Sequence, residues 1–161
     1  MAHWVNSRRV VESDEPTGGR FVDNAHRFAV RVYFEDTDLS GVVYHANYLR
    51  WMERARSDML RLAGIDQRAM FEDGWGAYAV ADVAIRYAAP ARLDDAVVVV
   101  SHVIQATPAR VVIQQRVSRG AVLLTDARVT AALVGPDGRA RRQPAAWLAI
   151  YRRLIGEGVN A

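Results

Sequence analysis

The sequence predicts an α+β fold in which an antiparallel sheet of about five strands covers one long central helix. Three observations carry it. A single extended segment has apolar residues at helical spacing, four or five short stretches are strand-like, and the last of these are joined by tight turns with no further long helix between them.

Residues 1–25 carry clustered charge, Pro16 and the Gly18–Gly19 pair without sustained periodicity, so they are expected to form a flexible extension. One domain is expected over 26–155, with 156–161 as a tail. From Arg27 to Phe34, Phe28, Val30, Val32 and Phe34 alternate with Arg27, Ala29, Arg31 and Tyr33, the pattern of a half-buried strand. The acidic turn EDTDLSG follows, then VVYHAN and the helical segment from about Asn47 to Ala63. There Tyr48, Met52, Ala55, Met59 and Leu62 form one apolar stripe; Asn47 or His45 is expected to cap its start and Gly64 to end it.

After a loop rich in Gly and acids, Ala77 to Tyr87 places Ala77, Ala79, Ala81, Val83, Ile85 and Tyr87 on one face of a strand, with Asp82 and Arg86 opposite. Pro90 stops it. Asp94 and Asp95 turn the chain into AVVVVSHVI, an unbroken apolar run typical of a buried strand, in which His102 is expected to be buried or at an interface. Strands near Arg110 to Ser118 and Ala121 to Val134 form a hairpin about Arg119 and Gly120. The GPDG turn at Gly135 to Gly138 ends the sheet, and Pro144 to Ile155 reads as a short terminal helix or edge segment.

At 161 residues the chain has the size of one domain, and its half-hydrophobic, quarter-charged composition is that of a globular protein. It has no cysteine, which excludes disulfides, thiol nucleophiles and thiolate metal sites. His3, His26 and His102 show no paired ligand spacing, so no metal is expected. The N-terminal stretch lacks the apolar run of a signal peptide and no segment is long enough to span a bilayer, so the expected location is the cytoplasm. All 21 basic residues are arginine, giving a net charge of +3. They are scattered among acids rather than gathered into a stripe with aromatics, which argues against nucleic acid. Arginine suits phosphate, and an anionic small molecule is the better partner.

The informative stretch is FEDTDLSGVVYHANYLRWMERAR, Phe34 to Arg56, where a strand end, a carboxylate, a glycine turn, a histidine and a helix start follow in close succession. Thioester hydrolysis needs a carboxylate to activate water or attack the carbonyl, and donors to hold the developing oxyanion. A helix N-terminus offers unpaired N–H groups for the second task.

The run DTDLSGVVYHANYLRWMERAR resembles the signature of the 4-hydroxybenzoyl-CoA thioesterase superfamily, in particular its YbgC-type acyl-CoA thioesterases. The likeness extends more weakly over Arg27 to Val134, through IRYAAPARLDD. It implies a hotdog fold and a homodimer or homotetramer with active sites at the subunit boundary. It also implies acyl-CoA or acyl carrier protein as substrate, with no cofactor. The family's essential aspartate matches Asp38, the second acid of the D-x-D pattern, and its histidine matches His45. Both are the expected catalytic residues, and Tyr44, Val43 and Asn47 beside them are the expected substrate contacts.

Asp36 and Glu35 read as turn and surface groups. Glu53, Arg54 and Arg56 read as helix-surface or intersubunit ion pairs. Tyr33 and Trp51 line an acyl pocket or fill core, and Arg86, Arg92, Arg110 and Arg116 are loose candidates for CoA phosphates. The rival readings are a non-catalytic acyl-CoA or carrier-protein binding module and a hotdog dehydratase or hydratase. The latter is disfavoured because its motif is missing.

Overall fold

The computed structural model describes residues 15–156. The elements are β1 (Arg20–Val22), β2 (Ala25–Arg31), a 3₁₀ turn (Phe34–Asp36), α1 (His45–Leu62), α2 (Gln67–Glu72), β3 (Ala77–Tyr87), β4 (Ala96–Ala106), β5 (Val111–Arg119), β6 (Val122–Val134), β7 (Ala140–Arg141) and α3 (Ala145–Ile155). All pairings are antiparallel, in the order β1-β2-β4-β5-β6-β3 with β7 added on β6. The class is the expected one, a single antiparallel sheet packed on a central helix. Seven strands stand where about five were expected, because β1 and β7 are only three and two residues long.

The helix is held by its apolar stripe. Tyr48, Met52 and Ala55 pack with Val32, Val97, Val99, Val117, Leu124 and Ala127, and Met59 continues the contact toward Val103, Ile113 and Tyr151 of α3. Met52 and Met59 are at most 1% exposed, so each contributes about 1.5–3 kcal/mol of burial. Leu62, expected in the stripe, is half exposed because the helix ends there. Gly64, at φ 88°, reverses the chain just past the end, as expected of a C-terminal glycine.

The folded region starts earlier than His26. Residues 1–14 of the expected extension lie outside the described residues, but β1 pairs with β2, and Gly19 N donates to Asp58 Oδ2 on α1 at 2.8 Å. The same oxygen lies 2.7 Å from His26 Nε2, and both His26 and Asp58 are buried. A Cβ on Gly19 would sit 2.7 Å from His26 Nε2 and 2.9 Å from Asp58 Oδ2, and closer still to the Arg27 carbonyl, so only glycine fits this approach.

Other expectations shift for local reasons. Phe34 leaves the inward face because the strand has given way to the 3₁₀ turn, and it is 81% exposed. The run in β4 is buried on alternate residues only (Val97, Val99, Ser101, Val103), which puts His102 on the exposed face. A bulge between Val80 and Asp82 breaks the alternation of β3. The loop after α1 contains α2, whose cap Asp66 accepts from Ala69 N at 2.9 Å. The β5–β6 hairpin and the terminal helix form where expected. Among the described residues no helix is long and apolar enough to cross a membrane.

Candidate active site

The segment between the 3₁₀ turn and α1 is a tight loop fastened at both ends. Asp38 N donates to Val42 O at 3.1 Å and Gly41 N to Asp38 O at 3.0 Å, while Thr37 and Val43 form an isolated antiparallel bridge. Gly41 sits at φ 77°, which favours glycine. The Asp36 carbonyl accepts from Tyr44 N at 2.9 Å and from the Asn47 amide at 2.8 Å, so the loop is tied to the first turn of α1. Val43 N donates to Ala91 O at 2.9 Å, which ties it to the segment before β4 as well.

Asp38 projects from this loop and is exposed. Its Oδ1 accepts from Ser40 N at 2.8 Å and from the Ser40 hydroxyl. These donors, the hydroxyl first, hold its pKa below the ordinary aspartate range, and the nearby His45 acts in the same direction. The carboxylate is therefore ionised at neutral pH with its other oxygen open.

His45 is the first residue of α1 and is exposed. The cap residue is Tyr44 and no side chain caps the helix, correcting the expectation that His45 or Asn47 would do so. The Asn47 N–H donates to the Tyr44 carbonyl at 2.9 Å, and no side chain caps the other opening N–H groups. The imidazole is enclosed by aromatic edges: Tyr44 at 4.6 Å and Tyr87 at 6.2 Å between ring centres. Tyr87, at the far end of β3, also donates its hydroxyl to the His45 carbonyl at 2.9 Å. Val43, His45, Tyr48, Tyr87, Ala88, Ala89 and Pro90 line an open cleft of about 310 Å³. Buried Tyr48 shapes its floor, and its oxygen accepts from Ala91 N at 2.9 Å.

The structure brings Asp38, Tyr44, Val43 and His45 to one end of α1. Asn47 is there too but buried, its amide spent on the loop. Trp51 is core at 1% exposure, whereas Tyr33 is exposed. Arg92 Nη1 reaches Gly41 O at 3.4 Å, Arg116 pairs with Asp126 at 3.1 Å, and Arg86 and Arg110 are exposed. Arg56 makes no ion pair among the described residues; it donates to Gln115 Oε1 at 2.8 Å beneath the helix. Sequence reading missed the part played by Tyr87, which is 42 residues from His45; its only local signal is an aromatic at the end of a strand just before AAPAR.

Comparison with known proteins identifies the family and the fold. Residues 32–148 match the family described as "Thioesterase-like superfamily". The acyl-CoA thioesterase YbgC of Haemophilus influenzae is 42% identical over 113 residues, 70% of this chain and 83% of that protein. The acyl-CoA thioester hydrolase YbgC of Escherichia coli O6:H1 is 40% identical over 111 residues, 68% of this chain and 82% of that protein. A probable thioesterase from Bartonella henselae superposes with a TM-score of 0.70 at 35% identity, covering 74% of this chain and 99% of that one. A 4-hydroxybenzoyl-CoA thioesterase mutant complexed with 4-hydroxybenzoyl-CoA shares the fold, with a TM-score of 0.72 at 22% identity over 79% of this chain and 98% of that one. By the span of the family match, by the identity to the YbgC proteins and by the hotdog arrangement of sheet and helix, the chain belongs to the thioesterase-like superfamily.

Proposed function

We propose that this protein hydrolyses acyl-CoA thioesters to a free carboxylic acid and CoA, with Asp38 as general base or nucleophile. The observation that carries the proposal is an exposed carboxylate, kept ionised by Ser40, on a loop tied to the uncapped N-terminus of α1. The thioester carbonyl would lie against the opening N–H groups, with the His45 ring orienting it. Water activated by Asp38, or Asp38 itself, adds to the carbonyl carbon; negative charge gathers on the carbonyl oxygen at the helix N-terminus. Collapse breaks the carbon–sulfur bond, and CoA leaves as the thiolate and takes a proton. In the nucleophile variant water then cleaves the acyl-aspartate anhydride.

The working unit in this reading is a homodimer or homotetramer. β3 ends the sheet with its outer edge open and Val80, Val83 and Tyr87 exposed, an edge that a second copy would cover. The YbgC relatives named as acyl-CoA thioesterases support CoA as the carrier.

The test is release of free thiol, followed with a thiol reagent, when purified protein meets a panel of acyl-CoAs. Release with at least one acyl chain is the expected result. Tight acyl-CoA binding without release would instead make the protein a binding module, and an enoyl product a dehydratase.

A further inference from the structure

A second cavity lies on the same face of α1 as His45, near the other end of the helix. His45, Leu49, Glu53, Arg56 and Leu60 follow one another at spacings of four, four, three and four, so they share one side of the helix. β3 runs back along that side: Tyr87 at its end meets His45, and Tyr78 at its start lines the second cavity with Glu53, Arg56 and Leu60. The cavity holds about 110 Å³, has apolar walls at Leu60 and Ile113, and is polar on the side of Glu53, Arg56 and Ser57. At 1.5 Å per residue, Glu53 and Arg56 stand roughly 12 to 16 Å along the helix from His45. An extended chain advances about 3.3–3.6 Å per three backbone bonds, so roughly ten to fourteen bonds cover that span.

The polar side opens toward solvent at Glu53, which is exposed, while Arg56 and Ser57 are half-buried. Arg56 is drawn partly out of water, and that burial disfavours its charged form and lowers its pKa. Of its five N–H donors only Nη1 is engaged, by the neutral carbonyl oxygen of Gln115. Glu53, one turn earlier, accepts from Ser57 Oγ at 2.7 Å and keeps its remaining acceptor capacity. Opposite charges on one wall cancel toward a ligand, and a second carboxylate entering there would face Glu53. A neutral group that accepts from Arg56 and donates to Glu53 satisfies both.

We infer that this cavity receives the far end of the substrate's acyl group and selects chains carrying a hydroxyl about ten to fourteen bonds from the thioester carbonyl. The inference rests on the thioesterase reading above and deepens it by naming the acyl class.

The experiment compares kcat/KM of the full-length wild-type protein for dodecanoyl-CoA, 12-hydroxydodecanoyl-CoA, 6-hydroxydodecanoyl-CoA and dodecanedioyl-CoA. The 12-hydroxy chain should exceed the unsubstituted chain by about tenfold, the worth of one net hydrogen bond to a charged group, and the 6-hydroxy chain should show no such gain. Arg56→Met should bring the ratio close to one. Because that variant also loses the Gln115 contact and can misfold, the position of the preferred hydroxyl in the wild-type protein decides the matter by itself. Equal or poorer turnover of the 12-hydroxy chain, or preference for the dicarboxylyl chain, overturns the inference and leaves the thioesterase reading intact. Failure to release CoA from all four and from a shorter acyl-CoA panel overturns both.

Discussion

Two aspartate–histidine neighbourhoods flank the central helix, and they differ in every respect that matters for chemistry. Near its C-terminal end Asp58 and His26 are both buried, 2.7 Å apart, with Gly19 N closing on the same oxygen. At its N-terminus Asp38 and His45 are both exposed and no hydrogen bond joins them; each is held by other groups, Ser40 for the carboxylate and aromatic edges for the imidazole. The buried pair is turned into the fold, with Asp58 Oδ2 taken by His26 Nε2 and Gly19 N and His26 Nδ1 left buried without a partner, and it fixes β1 and β2 to the helix. The exposed pair has its capacity left over for a ligand. A residue pair alone does not mark an active site; oriented hydrogen-bonding capacity that a ligand can reach does.

The contrast is sharpest if the two aspartates are changed separately. Asp38→Asn keeps size and most hydrogen bonding but cannot take a proton or attack a carbonyl, so kcat should fall about 10²- to 10⁴-fold. The melting temperature should stay close to that of the wild type; a large drop would show that the exposed pair is structural too. Asp58→Ala should do the reverse. Leaving His26 and Gly19 N buried without their partner costs about 1–3 kcal/mol for each unpaired group, read as a lower urea midpoint, while kcat per folded molecule changes little. Loss of activity without loss of stability would break the comparison.

His45→Ala removes an orienting group but leaves the helix N–H groups, so its kcat should fall about 10²- to 10³-fold, no more than for Asp38→Asn. The smallest effect concerns pH. In the proposed mechanism Asp38 acts as the carboxylate, and its pKa is lowered from the ordinary 3.8, so protonation of this group should remove activity only as pH falls through that lowered value. Between pH 7 and about pH 4 Asp38 should impose no acid limb on kcat/KM. Ser40→Ala deletes the hydroxyl donor and keeps the amide, which should move the limb upward toward the ordinary value. A limb unmoved by Ser40→Ala would show that another group sets it.

How much could be read beforehand follows the range of the forces involved. The β2 alternation, the α1 stripe and the β5–β6 hairpin are local patterns; the hairpin formed where its residues placed it, α1 starts two residues early at His45, and β2 runs from Ala25 and stops at Arg31, short of the expected Phe34. β1 has no such pattern; it pairs with β2 directly after Gly19, which donates to Asp58, 39 residues away. The exposure of Phe34 depends on where β2 stops, and the burial of Asn47 on an Asp36 carbonyl brought in by the loop. Asp38 and His45 are proposed from the resemblance of a contiguous motif, whereas Tyr87 comes from another strand and its only local signal is an aromatic at a strand end. Arg56 looked like a surface cation by its helical position alone. Its turn inward depends on Gln115, a polar residue on the inner face of β5 that also bonds Met52 O and Ser101 Oγ.

The order of strands in the sheet also dictates how the molecule must assemble in time. β4, β5 and β6 are consecutive in both chain and sheet, so they can close as a meander with short loops. β1 and β2 can pair with each other at once, but β2 reaches the rest of the sheet only through β4, and β3 joins it only through β6. Such long closures are slow relative to hairpins. During synthesis α1 therefore emerges with its apolar stripe uncovered and no sheet to lie on, a state prone to chaperone capture or aggregation. Pulse-labelled hydrogen exchange during refolding should protect β5 amides before those of α1. Earlier protection of α1 would mean that the helix nucleates the fold.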